Sequence, residues 1–117
     1  MGFYARITKS TVVLPFIHTP TIVARWKALK NTRPAFMPTN YDTTTQTAQE
    51  ILTLLGFEHE TLLSGDIKVL DFDNKSGSEE EFFKAIEDLV PAGSMTWASD
   101  EHERWKWVFN GATMTVT

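Results

Sequence analysis

Residues 94–117, SMTWASDEHERWKWVFNGATMTVT, decide the fold. Trp105, Trp107 and Phe109 alternate with Arg104, Lys106 and Val108, and alternation resumes at Met114 and Val116. A period of two marks strands with one buried face. Asn110 and Gly111 interrupt it, and Asn-Gly readily supplies the two positive φ values of a type I′ turn. A two-residue hairpin is therefore expected, with Phe109 facing Ala112, Trp107 facing Met114 and Trp105 facing Val116. The opposite face pairs Val108 with Thr113, Lys106 with Thr115 and Arg104 with Thr117. A slip of one residue would turn the aromatic stripe outward, so its facing is strongly specified. For Met95 and Trp97 to join the stripe, the loop around Glu101 must hold an odd number of residues, Asp100 to His102 or Ser99 to Glu103.

Working outward, the stripe needs an apolar cover. Ser78 and Glu81 stand at capping-box spacing before Phe82, Phe83, Ile86, Leu89 and Val90, which form one broad helical face ended by Pro91 and Gly93. Glu79, Glu80 and Glu81 fall in its first turn, where the helix dipole favours anions. Upstream, GDIKVLDF reads as an interior strand, with Ile67 and Val69 on one face and Lys68, Leu70 and Phe72 on the other. Thr47 and Glu50 form another capping box, ahead of Ala48, Ile51, Leu52 and Leu55, with Gly56 as a left-handed stop and Phe57 packing back. Residues 58–65 read as connection. Pro34 and Pro38 bracket a surface loop, residues 31–42, anchored by Phe36 and Tyr41. Thr19 and Pro20 suggest an N-cap and first helical residue before Ile22, Val23, Trp26 and Leu29. FYARITKSTVVL, residues 3–14, reads as a strand bending near Lys9 and Ser10. The order β α α β α β β over one domain, residues 1–117, predicts an α+β fold: a mainly antiparallel sheet with helices on one face.

The 117 residues include no cysteine, which excludes disulfides, thiolate metal sites and cysteine nucleophiles and fits a reducing, cytoplasmic setting. The amino terminus lacks the pattern of a signal peptide, Arg6 stands where a myristoylation signal carries Ser or Thr, and no apolar run is long enough for a bilayer. Net charge is −4, but residues 1–41 hold six basic residues and no acid, while residues 42–117 hold all fifteen acids. Opposite charges are expected to neutralise each other on the folded surface, the alternative being a basic patch for an anionic partner or an acidic face for a basic one.

Catalytic signatures are absent. His18, His59 and His102 share no metal-ligand spacing, and LDFDNKSG departs from a calcium loop, with Ser76 at its sixth position and Phe82 at its twelfth. No Gly-rich phosphate loop or nucleophile elbow occurs. No cofactor or metal is expected, and the chain is expected not to be an enzyme. Trp97, Trp105, Trp107 and Phe109 would form a base-stacking platform if open, but the apolar helix makes them core. Binding residues are then expected on the basic helix and loop, Arg25, Lys27, Lys30 and Arg33; on the acidic tip, Asp100, Glu101, His102 and Glu103; and on the polar face carrying Arg104 and Lys106.

The opening MGFYARI and the closing GSMTWASDEHERWKWVFNGATMTV resemble small uncharacterised proteins of bacteriophages, especially phages of actinobacteria, and of their hosts. The likeness covers residues 1–7 and 66–117, and its motifs are structural. It implies a phage or mobile-element accessory protein that binds or inhibits a host or defence protein in the host cytoplasm. Nucleic-acid binding by the basic first third, small-ligand binding, and a homodimer formed by pairing of a sheet edge are the other expectations.

Overall fold

The protein is described by a computed structural model covering residues 4–32, 47–75 and 79–117. Among these, β1 (Tyr4–Ser10) and β2 (Val13–Leu14) precede α1 (Thr19–Thr32), α2 (Ala48–Leu55), β3 (Phe57–Thr61) and β4 (Ile67–Lys75). Then come α3 (Glu79–Ala85), β5 (Gly93–Ser99), β6 (Arg104–Phe109) and β7 (Met114–Val116). The strands form one antiparallel sheet. From edge to edge it runs β3, β4, the bent β1–β2 segment, β5, β6, β7. The fold is the expected α+β sandwich, with the first strand divided in two and two strands beyond the four of the expected order, β3 and one of the three in the C-terminal β5–β6–β7 meander.

Trp97 lies opposite Trp105 and Met95 opposite Trp107, the register demanded by an odd loop. The face carrying Trp97, Trp107 and Phe109 is covered by the helices and fully buried. Phe83 of α3 packs against Trp107 and Phe109, and Trp26 of α1 meets Phe82 edge to face, so helices and stripe share one core. Pairs in this tilted or edge-on geometry add about 1 kcal/mol each beyond the area they bury. Trp105 stacks on Trp97 but remains half-exposed at the rim.

Four local expectations are corrected. The β6–β7 loop holds four residues, Asn110 to Thr113, because Phe109 pairs with Met114 and Trp107 with Val116. Asn110 Oδ1 accepts the N–H groups of Ala112 (2.9 Å) and Thr113 (2.7 Å), and of the two turn residues only Gly111 has positive φ. The asparagine side chain thus builds an Asx-type turn in place of type I′. A shift of two residues preserves facing, so the apolar stripe survives. Residues 57–61, mostly read as connection, pair with β4 as an edge strand. Their single apolar residue, Phe57, gives too little alternation to be seen. Between Glu58 and His59 the pairing shifts, so the bulge at Leu70 reverses the phase of β4 and turns Phe72 inward beside Ile67 and Val69. Thr19 is already helical, and its hydroxyl donates to Phe16 O (2.8 Å) instead of capping the helix. A 3₁₀ turn, Phe16–His18, leads into α1.

The Thr47–Glu50 capping box is complete, and Gly56 takes the left-handed conformation. The bend of the first strand coincides with a bulge between Ile7 and Lys9. Ser78 lies outside the described residues, as does the expected loop with Phe36 and Tyr41 from residue 33 onward, whereas residues 31–32, read as part of that loop, still belong to α1. The free edge of β7 is taken up by side chains: Met114 N–H donates to Glu87 Oε1 (2.6 Å), and Lys84 Nζ donates to Met114 O (2.7 Å). Such occupation protects against edge-to-edge association. Glu87→Ala should cost about 1 kcal/mol and accelerate exchange of the Met114 amide. Unchanged exchange by NMR would show that this edge contact does not hold the strand.

Candidate functional site

The expected site residues do not converge on one surface. Arg25 lies on α1 and is bound to Asp88 through both carboxylate oxygens, with a further hydrogen bond to Ala85 O (3.1 Å). The hydrogen bond from Arg25 holds the Asp88 carboxyl below its ordinary pKa, and the guanidinium is correspondingly raised. The basic first third and the acidic remainder meet at this pair. Lys27, half-buried, and Lys30 continue along α1, and Arg33 lies outside the described residues. Asp100 to Glu103 form an exposed turn, shaped by Ser99 Oγ, which accepts the N–H groups of Glu101 and Glu103 (both 3.1 Å). Arg104 and Lys106 are exposed on β6, on the sheet face opposite the helices.

The most unusual surface was not among the expected residues. Phe16 and Ile17 are 60% and 79% exposed in the turn before α1, and Leu62 and a fully exposed Leu63 occupy the turn between β3 and β4. Together they are half of the large apolar side chains exposed among the described residues. Pairing of Leu14 with Ile67 brings the two turns side by side. Asp66 ties them together: its Oδ1 accepts the Phe16 N–H (2.8 Å), while its backbone O accepts the Leu62 N–H (2.8 Å). Gly65 sits at φ +92° under the Phe16 ring, where an added Cβ would lie 2.7 Å from Cδ1. The apolar groups are therefore displayed on hydrogen-bonded turns that hold one another in place. Gly65→Ala should cost about 1 kcal/mol and displace the Phe16 ring. Unmoved Phe16 ring resonances would contradict this packing.

Beside Phe16 opens a cavity of about 480 Å³, lined by Phe16, Pro20, Val23 and Ala48 with Thr19, Thr47 and Gln49. Its described lining has methyl, ring, hydroxyl and amide groups but no titratable side chain, so it suits an apolar group better than proton-transfer chemistry. A second hollow of about 240 Å³ lies between Tyr4, Ala5, Arg6, Asp73 and Asp100 at the far end of β1. Among the described residues, no cluster of three metal-ligating side chains occurs, and no helix is long and apolar enough to cross a membrane.

Compared with protein-family models, curated proteins and solved structures, the chain matches none. The site is thus defined by its own geometry. Its sequence signal was available: Phe16-Ile17 between two prolines, and Leu62-Leu63 directly before Ser64-Gly65. Paired apolar residues in turns, where polar ones are usual, single out this surface as the candidate site once the fold brings the two pairs together.

Proposed function

We propose that the chain is a non-enzymatic binding protein that engages another protein through Phe16, Ile17, Leu62 and Leu63. The observation that carries this reading is their joint exposure on two turns locked together by Asp66. Isolated apolar side chains are ordinary on protein surfaces, whereas four on adjoining turns form a desolvation-ready patch. Turns already held by hydrogen bonds lose little conformational freedom on binding, which favours affinity. The neighbouring cavity offers a receptacle for an apolar anchor from the partner, the arrangement in which a few residues dominate binding energy.

The resemblance of residues 1–7 and 66–117 to phage accessory proteins supports a host or defence protein as the partner, met in the host cytoplasm. Affinity capture with the intact chain, compared with Ile17→Asp/Leu63→Asp, tests the reading. A protein retained by the first and lost by the second supports it. Identical captures, or none, would count against it.

A further inference from the structure

The uncovered sheet face carries a second, independent pattern. On β5, Thr96 and Ala98 point away from the core, since Met95 and Trp97 point into it. Lys9 and Lys106 flank Thr96, and Arg6 and Arg104 flank Ala98, on the two neighbouring strands. Strand spacing places the members of each flanking pair about 10 Å apart and the two rows about 7 Å apart. All four cations are exposed and, among the described residues, none makes a salt bridge.

On the same face, β3 and β4 carry the opposite sign. Glu58 pairs across with Asp71, and Asp73 pairs with Arg6, so the polarity changes at the β4–β1 boundary. Glu60 adds a fourth carboxylate opposite Lys68. A linear polyanion could use the cations only while lying beside these carboxylates. A twofold axis in the interface, parallel to the strands, exchanges the two sides of the sheet and lays the acidic half of one copy over the basic half of the other.

We propose that a second copy of this chain docks on this face, basic half against acidic half. The small residues between the charges, Ser94, Thr96, Ala98 and Thr115, leave a floor that permits close approach, with the two sheets crossing at about 30°. Six strand positions span about 24 Å, and strands of about 20 Å give a flat footprint of roughly 480 Å², below the roughly 800 Å² per partner of a standard interface, so the contact is a weak and salt-sensitive one. Occupation of the β7 edge by Glu87 and Lys84 disfavours edge pairing there, which moves the expected homodimer contact from an edge to a face.

Analytical ultracentrifugation of the intact chain tests this. At low salt the mass should be twice 13.3 kDa, and the dissociation constant should rise about tenfold or more towards 0.5 M salt. Arg104→Glu/Lys106→Glu cancels the net positive charge of the basic half, since only Arg6 and Lys9 remain against two new carboxylates, and Glu58→Lys/Glu60→Lys makes the β3 side basic. Each should sediment as a monomer with an unchanged circular dichroism spectrum, and an equimolar mixture should restore the dimer. Ile17→Asp/Leu63→Asp should dimerise normally, which separates this contact from the apolar end. A wild-type monomer at every salt concentration, a salt-insensitive dimer, or a dimer that both charge variants retain would overturn the proposal. So would a monomer that binds a labelled oligonucleotide through Arg104 and Lys106, which would identify a polyanion as the occupant.

Discussion

Trp97→Ala should lower stability by about 3–5 kcal/mol, a large part of the roughly 5–15 kcal/mol that holds a domain of this size folded. The side chain is 1% exposed and stands where three elements meet. Its ring lies 4.7 Å from Trp107, 5.2 Å from Phe72 and 6.1 Å from Phe57, centroid to centroid. Truncation therefore removes contacts to β3, β4 and β6 at once and leaves a cavity that rigid strands cannot fill. Trp97→Phe should be far milder. Among the described residues the buried Trp97 Nε1–H has no acceptor, and phenylalanine removes this polar group while a ring remains to pack. Urea unfolding of the two variants separates the contributions. A small loss for Trp97→Ala would contradict the central place given to this ring.

Ile17→Asp/Leu63→Asp should do the reverse, leaving stability within about 0.5 kcal/mol of the parent while weakening partner binding by about a hundredfold or more. Neither side chain contributes to the core, and Leu63 has no burial to lose. A carboxylate at either position would have to be desolvated against an apolar partner, a larger penalty than loss of the methyl groups alone. Asp66→Ala provides an intermediate case. It deletes the acceptor of the Phe16 N–H without touching the apolar groups, so binding should weaken by about tenfold through lost preorganisation. Arg104→Glu, on the opposite sheet face from the helices, should leave this binding unchanged.

The fold was legible because its strongest patterns were redundant. Trp97, Trp105 and Trp107 fix facing through alternation, and Phe82, Phe83, Ile86 and Val90 supply a matching apolar surface, so either implies the other, although the helix expected to run to Pro91 ends at Ala85 and gives way to a 3₁₀ turn, Glu87–Leu89. The Asn110 turn shows where this stops. Asn-Gly is compatible with two loop lengths, and the one adopted depends on Asn110 Oδ1 reaching two backbone N–H groups. Facing survived because both solutions have the same parity. The Phe57–Thr61 strand was hidden because an edge strand with one inward apolar residue and two outward glutamates has the composition of a loop. The reversal at Leu70 could not be read from β4 alone, since a bulge is a property of the pairing.

The candidate site was legible only in part. Charge segregation was visible, but the fold divides it: Arg25 is spent on Asp88, whereas Arg6 and Lys9 join Arg104 and Lys106 on the sheet's open face. Phe16 and Leu63 are far apart in sequence, and each alone would be an ordinary exposed residue. Their meaning comes from pairing of Leu14 with Ile67 and from the reach of Asp66.

The most direct test is calorimetric titration of the captured partner with the wild-type chain, Ile17→Asp/Leu63→Asp and Arg104→Glu. Binding that is lost in the double variant and retained in Arg104→Glu is the predicted result. Equal affinity for the wild type and the double variant would contradict the assignment of the Phe16–Leu63 end as the binding surface.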